Sequence, residues 1–493
     1  MMHIANLRAA LLIILAILGT SLSGAYAQPR AQNQQYSVYL PLIRGGSTSQ
    51  SPSPTPPPSK AGFFALTDWL TYSAATVVDA KGGVHLALFV SDEGHLDQPL
   101  NQPALYSYCS GPVTACADAT KWSDPVQFGE QVNEVQVAVT RDGRPRLLVR
   151  RSGSRFNEYD YYACDSNCAQ ASQWSGLYVA EDASGVLNGF SLGNHYFALD
   201  AQDRPRFAYG NDWGNGQPNG IYYAWCDEAD CTQPGSWQRS RALIGPDNVS
   251  TSGEAASLAF DGDKPRMVIS HYVSGLPTDL IYLACDADCE QTESWAATEI
   301  ASPADKAWAS WDLALDAQGN PRIALYEPAG IDITVGGKLF YAWCDGDRCF
   351  DGGAPFQIVQ VASGEGQSVD LAIDAQGRTH MVYDAGQRGT LGELWCDAGC
   401  TNAATWQRRI LETSEQLMQE FAPASPLTCD QQERAWFDSL PQVAFDPQGR
   451  MVVGYDLKNV ARCYSFDPTD PTHRVYSEVK RVWWSVRLVQ FDR

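Results

Sequence analysis

The chain has 493 residues, 14 cysteines and a formal charge of −22, from 57 acidic against 35 basic side chains. That length exceeds one ordinary hydrophobic core, and 44% hydrophobic with 19% charged residues excludes a chain that is disordered throughout. The acidic balance excludes nucleic acid and anionic membranes as partners, because phosphate affinity rests on basic side chains that release counterions.

Residues 1–27 have the parts of a secretory signal: Arg8, an apolar run from Leu11 to Leu18, and the small-residue pattern Ala25-Tyr26-Ala27 before Gln28. The run is too short to span a bilayer, and no second long apolar stretch follows. Cleavage near Ala27 leaves 34 basic against 57 acidic residues, a charge of −23. The mature protein is therefore expected to be secreted or associated with the cell surface, with no transmembrane span. Residues 28–60 form a linker. Its Pro/Ser tract from Ser51 to Pro58 favours extended polyproline II geometry. Its apolar stretch from Val38 to Arg44 looks like a motif at the ends of some bacterial exoproteins, or else is a segment that packs on the main domain.

From residue 61 to 493 one unit recurs. Its clearest copies are Leu313-Ala-Leu-Asp316-Ala-Gln-Gly319-Asn-Pro-Arg322 and Leu371-Ala-Ile-Asp374-Ala-Gln-Gly377-Arg-Thr-His380. Equivalents of the Asp fall at Asp79, Thr140, Asp200, Asp261, Asp316, Asp374 and Asp446, at an average spacing of about 61 residues. Each copy predicts a strand, a tight Asp-x-x-Gly turn and a second strand, because Asp starts such a turn and Gly takes its positive-φ position. A variable loop and a second hairpin follow. Four strands per copy make a propeller blade, so the fold expected is an all-β, seven-bladed β-propeller of four-stranded blades. An open stack of hairpins would need polar end caps. Here the terminal copies are apolar, at Gly62–Leu66 and Val482–Phe491, and want a partner that ring closure supplies. Small residues two positions before the Asp (Ala138, Ala198, Ala259, Ala314, Ala372 and Ala444, with Val77 in the first copy) suit inner strands crowded round an axis.

The second hairpins of blades one to six each hold a close cysteine pair: Cys109/Cys116, Cys164/Cys168, Cys226/Cys231, Cys285/Cys289, Cys344/Cys349 and Cys396/Cys400. Export favours disulfides. Zinc, the alternative, needs four ligands per site, whereas each repeat offers two cysteines and no recurring histidine. A tryptophan follows the second cysteine by six positions at Trp122, Trp174, Trp237, Trp295 and Trp406, while blade five has Phe356 seven positions on.

The regular turns and cysteine hairpins belong on one face and the variable connections on the other, where a rigid ring would present ligand-binding loops. Cys429, in the insertion between blades six and seven, and Cys463, expected in the loop between strands two and three of blade seven, can pair on that variable face. Such a bond either orders residues 411–441 as a wall or only restrains a long loop. Candidate ligand contacts there are Asp212, Trp213, Trp308, Trp311, Glu327, Asp384, Arg388 and Trp436, since rings stack on pyranose faces and carboxylates accept from hydroxyls; most aromatics will instead be blade packing. Asp312 and Asp370 sit four positions before their repeat Asp, as do Gln136, Ser257 and Gln442. They are expected to line the channel in contact with solvent, although two close carboxylates would raise each other's pKa or bind a cation.

His85 and His380 take the place of Arg146, Arg206, Arg266 and Arg322 in the repeat, and His95, His195 and His271 fall on or near variable loops without metal-ligand spacing. No metal and no cofactor is expected. Calcium finds only two short acidic turns, Asp261-Gly-Asp263 and Asp345-Gly-Asp347. No nucleophile elbow or phosphate loop is present, and no catalytic residue is singled out.

The Asp-Ala-Gln-Gly-Arg/Asn-Pro-Arg turn and the Tyr-Ala-x-Cys hairpin resemble secreted bacterial β-propellers of the broad sialidase-like or BNR-repeat kind, over residues 61–493. The motif Ser-x-Asp-x-Gly-x-Thr-Trp of that group is absent here. The resemblance implies a glycan-related propeller. Sialidases use an arginine triad with a Tyr/Glu pair. The repeat arginines lie on the turn face, and nothing selects three from Arg151, Arg155, Arg388, Arg434 and Arg462. The expected function is a non-catalytic, monomeric exported propeller that binds an extracellular glycan or surface protein. A glycoside hydrolase or polysaccharide lyase acting on the same face is the alternative.

Overall fold

The computed structural model describes residues 62–64, 70–91, 103–153, 156–182, 195–211, 218–244, 256–271, 279–301, 308, 310–328, 337–346, 349, 356–364, 366, 368–384, 391–413, 416, 429, 432–466 and 474–491. The proposed signal, the linker and the Val38–Arg44 motif lie outside them. No helix among the described residues is long and apolar enough to cross a membrane.

The fold is an all-β propeller. β1 (Gly62–Phe64) is followed by the first sheet, β2 (Leu70–Val78), β3 (Val84–Ser91), β4 (Ala104–Cys109) and β5 (Val126–Phe128). The second comprises β6 (Val132–Val139), β7 (Pro145–Ser152), β8 (Asn157–Cys164) and β9 (Trp174–Asp182). The third comprises β10 (Phe197–Leu199), β11 (Pro205–Asn211), β12 (Gly220–Cys226) and β13 (Trp237–Ile244). The fourth has β14 (Ala256–Asp261), β15 (Lys264–His271), β16 (Asp279–Cys285) and β17 (Trp295–Ala301), and the fifth β18 (Ser310–Leu315), β19 (Pro321–Glu327), β20 (Lys338–Trp343) and β21 (Gln357–Ser363). The sixth has β22 (Val369–Ile373), β23 (Thr379–Asp384), β24 (Leu391–Cys396) and β25 (Gln407–Glu412). All six are antiparallel meanders in chain order. β26 (Gln432–Phe445), β27 (Met451–Phe466) and β28 (Arg474–Phe491) form a further sheet, in which β1 pairs with β28 through Gly62↔Leu488 and Phe64↔Val486. The apolar first segment thus finds its partner at the far end of the chain. First strands of successive sheets lie side by side, from β2 against β6 through to β22 against β26, and β26 lies against β2.

The repeat turn works as its chemistry requires. Asp79 Oδ1 accepts from the backbone N–H groups of Lys81 and Gly83, both at 2.8 Å. The same pair of bonds recurs at Asp200, Asp316, Asp374 and Asp446. The fourth turn position needs positive φ, supplied by Gly82 (84°), Gly143 (90°), Gly319 (77°), Gly377 (78°) and Gly449 (76°). Blade three places Asp203 there at 61°, and a short polar side chain is one of the few that tolerates that region.

The cysteines pair as disulfides in the order their spacing predicts: Cys109–Cys116, Cys164–Cys168, Cys226–Cys231, Cys285–Cys289, Cys344–Cys349, Cys396–Cys400 and Cys429–Cys463. No cysteine is free. Intact mass after alkylation under denaturing, non-reducing conditions should show no added label; two labelled cysteines would contradict this pairing.

The second cysteine of a hairpin has a role beyond the disulfide. The backbone carbonyls of Cys116, Cys168, Cys231, Cys289 and Cys400 accept from the indole N–H of Trp122, Trp174, Trp237, Trp295 and Trp406 respectively, at 2.9 Å every time. Disulfide and indole bond therefore close one staple, and the six-residue spacing is the length of chain that lets the ring return to that carbonyl. These cysteines belong to the frame rather than to a ligand site. Cys116 and Cys231 are buried, whereas Cys168 and Cys400 are half-buried and pack against the cores of the seams.

Four of these rings then pack edge-on against a tyrosine of the preceding blade, in Tyr106–Trp174, Tyr161–Trp237, Tyr223–Trp295 and Tyr341–Trp406, with centroids 5.0–5.3 Å apart. Phe356 packs in this way on Tyr282 but cannot donate, and the Cys349 carbonyl accepts from Thr298 Oγ1 instead, at 3.0 Å. The cores are therefore the seams between sheets: one cluster joins Leu148 and Tyr161 to Phe207, Leu258 and Trp295, from three consecutive sheets.

The repeat arginines also serve the frame. Arg146, Arg206, Arg266 and Arg322 each reach the carbonyl of the first hairpin cysteine and the Asp after it, Asp165, Asp227, Asp286 or Asp345. His85 and His380 substitute for them with bonds to Tyr106 and Asp79, and to Glu393 and Asp374.

The expected loop position of Cys463 is corrected. Cys463 lies within β27, opposite Gln432, and residues 432–439 extend the inner strand as a ribbon paired as far as Ser439↔Asp456. The register shifts between Ser439 and Gln442, where Pro441 has no N–H to offer the ladder. The Cys429–Cys463 disulfide fastens the end of this ribbon, so residues 432–441 are strand rather than loop.

Candidate functional site: a charged cluster among the inner strands

The polar residues four positions before each repeat Asp are not solvated channel lining, which corrects that expectation. Ser257, Asp312 and Asp370 are completely buried, and Gln136 and Gln442 are nearly so. The side chains of Ser257, Asp312, Asp370 and Gln442 each stitch an inner strand to the next. Asp312 Oδ2 accepts from Leu371 N at 2.9 Å, Asp370 Oδ2 from Val443 N at 2.6 Å and Gln442 Oε1 from Thr76 N at 2.9 Å. Ser257 Oγ donates to Asp312 Oδ1 at 3.0 Å. A strand edge leaves N–H groups that must find acceptors when buried, and Asp312, Asp370 and Gln442 each supply one to the following blade.

His195 joins this ring from the opposite side. It precedes β10 in the third sheet, yet its Nε2 lies 3.0 Å from Asp370 Oδ1 in the sixth and 3.9 Å from Asp312 Oδ2 in the fifth. The neighbours of β10 are β6 and β14, so the imidazole crosses the space enclosed by the inner strands. Its side chain is 35% exposed, whereas both carboxylates are at 0%. Burial opposes the charged imidazole, but the carboxylates of Asp312 and Asp370 outweigh it and hold His195 up to about 9. Burial pushes the Asp312 carboxyl up to about 7, with the imidazolium opposing and Asp370 adding to the rise.

A second polar cluster adjoins the first through Tyr196. Arg150 Nη1 is 3.8 Å from Glu134 Oε2, and its Nε is 3.4 Å from Asp182 Oδ2. Asp182 accepts from Tyr159 Oη at 2.7 Å and Asn157 Nδ2 at 2.9 Å. Burial drives the Tyr196 hydroxyl well above its ordinary pKa, and the nearby charge of Glu134 adds to the effect. It therefore stays protonated.

Among the described residues expected to touch ligand, the structure brings Asp312 and Asp370 together with His195. Trp308 and Trp311 are buried at 7% and 4% in a hydrophobic core, with Trp308 edge-on to Phe340. Glu327 ends β19 facing Lys338 at 3.4 Å, and Asp384 ends β23 and is buried. Asp212, Trp213 and Arg388 lie outside the described residues, and Trp436 is placed only by backbone, in β26 opposite Asn459. Of the weak calcium candidates, Asp345 is taken by Arg322 at 2.7 Å; Asp347 lies outside the described residues. Arg151 is held by Asp160 and Glu158. His195 is the member that spacing did not find. A signal was present: blade three carries Tyr196 at the stitching position, and the residue just before it is His195.

No protein-family model matches the sequence, and no curated protein matches it. Among solved structures, a Dyadobacter fermentans protein of unknown function is 13% identical, with 88% of this chain and 98% of that one aligned at a TM-score of 0.42. A Streptococcus pneumoniae sialidase is 11% identical over 88% of this chain and 70% of its own, at 0.39. An α-L-arabinofuranosidase from Fusarium graminearum is 9% identical over 84% and 93%, at 0.42.

Proposed function

We propose that this chain is an exported, seven-bladed propeller that binds an extracellular glycan or surface protein on the face where its variable connections gather, without cleaving what it binds. The seven-bladed ring is supported by the pairing of β1 with β28 and by the bond from Thr76 N to Gln442 Oε1, which joins the first inner strand to the last. Export is supported by seven disulfides with no free cysteine, as suits an oxidising compartment. The observation that carries the binding reading is the state of the two carboxylates. Most glycoside hydrolases use a carboxyl pair about 5–9.5 Å apart flanking a bond in a cleft. Oxygens of Asp312 and Asp370 instead lie within 4.8 Å of one another, completely buried and committed to backbone N–H groups of the next blade.

Hydrolysis is the second reading, favoured by one observation: Glu134, Tyr196 and Arg150 combine the residue types of a Tyr/Glu pair beside an arginine. All three are nearly buried, a single arginine is present and the tyrosine is held protonated, so the group is not poised for attack. A glycan array probed with the mature chain, followed by assay of each hit for released sugar, distinguishes the two. Capture without release is expected. Release that disappears in Glu134→Gln would replace binding with hydrolysis.

A further inference from the structure

We propose that His195, Asp312 and Asp370 form a binding site for one divalent metal ion of the zinc class, held between the inner strands. The three side chains offer one imidazole nitrogen and two carboxylate oxygens, all within 4.8 Å of one another. Ligands bound at about 2.0–2.2 Å to one tetrahedral ion are separated by roughly 3.4 Å. The distances here, 3.0 Å from Nε2 to Asp370 and 3.9 Å to Asp312, bracket that value. An ion at this point needs little more than side-chain adjustment.

The surroundings are those of a built site. Each carboxylate is anchored by a backbone N–H of the next inner strand, and Asp312 also by Ser257. Such second-tier bonds fix ligand orientation, and a carboxylate has about four lone-pair positions, so capacity remains for a metal. Two wholly buried carboxylates from neighbouring inner strands face one imidazole. At the equivalent inner positions Gln136, Ser257 and Gln442 are neutral, so the acids are confined to the two strands that His195 reaches. The imidazole selects among ions: magnesium and calcium take oxygen ligands in larger number, whereas nitrogen with carboxylate suits zinc. The partial exposure of His195 supplies the way in, and three protein ligands leave a fourth position for water or a ligand group.

The test is equilibrium dialysis of the chelator-treated, folded chain against Zn2+ alone, with Co2+ as a second probe whose visible absorption reports ligation by nitrogen and oxygen. One equivalent of zinc is expected in the wild type, with the cobalt band present. His195→Gln should lose both. Ser257→Ala should weaken binding about 10- to 100-fold. His195 contributes no side-chain bond to the stitches between successive inner strands, so His195→Gln should keep the wild-type near-UV circular dichroism. Should Asp370→Asn fail to fold, the histidine variant decides. No stoichiometric zinc in the folded wild type, or equal binding by His195→Gln, overturns the site. The glycan reading stands or falls separately, since the array does not depend on this ion.

Discussion

Trp295→Ala should destabilise the propeller by about 3–5 kcal/mol, the cost of removing a large buried aromatic. Trp295 is 8% exposed and meets Tyr223 of the preceding blade edge-on, with centroids 5.3 Å apart and planes at 64°. Its indole N–H also donates to the Cys289 carbonyl. Trp295→Phe separates the two contributions. Blade five already carries this arrangement, where Phe356 meets Tyr282 at 5.4 Å and 64°. In Trp295→Phe the Cys289 carbonyl keeps its bond from Ser240 Oγ at 3.2 Å, so the lost hydrogen bond should cost about 1 kcal/mol. Urea denaturation of the three proteins checks the order. An alanine variant within 1 kcal/mol of wild type would show that the seam between blades does not depend on this ring.

The same seam explains what the sequence made legible. A period of about 61 residues, cysteine pairs and a tryptophan six positions on are local regularities, and the bonds that use them are local too, Trp295 to Cys289 and Arg266 to Cys285. Spacing alone could therefore place them, although it showed only the sulfur of Cys116, Cys168, Cys231 and Cys400 and not the carbonyl that each offers its tryptophan. The inner cluster is different in kind. His195 and Asp370 are 175 residues apart and meet only because strands of the third and sixth sheets face one another across the axis. The stitching position was visible as a row of polar residues, but its role was not. Whether an inward Asp is solvated or bonded to a neighbour's N–H depends on the distance between strands, which no single repeat encodes. Trp308 and Trp311 were misleading for the opposite reason. Just after a variable connection they look like rim aromatics, and packing against Phe340 and its neighbours buries them.

Acid should destabilise the protein steeply below about pH 4, and the turn aspartates set that fall. Burial of Asp79 disfavours its charged form, but bonds from His85 and from the backbone N–H groups of Gly83 and Lys81 prevail and bring it down to about 2. Asp316 and Asp374 are lowered too, against burial, by the same turn N–H groups and by Arg322 or Arg378. A carboxyl whose folded pKa lies below its unfolded value leaves the native state with fewer bound protons. Its stabilisation is complete above the unfolded value near 4 and is lost as pH falls towards 2. For Asp79 that is about 2 kcal/mol, and the turns repeat round the ring. His85 acts earlier. Burial lowers its pKa from 6.5 despite Asp79, so the unfolded chain gains a proton there first and its contribution to stability begins to fall below about pH 6.5. Urea midpoints should fall steeply between about pH 4 and pH 2, whereas above pH 4 the raised pKa values of His195 and Asp312 oppose the loss from His85. Asp79→Asn keeps an oxygen for the two turn N–H groups but loses the charge, so it should start less stable at pH 7 and converge on wild type by pH 2. Parallel curves for the two proteins would mean that the Asp79 charge adds nothing to the turn, and that its two backbone bonds alone explain why the residue recurs.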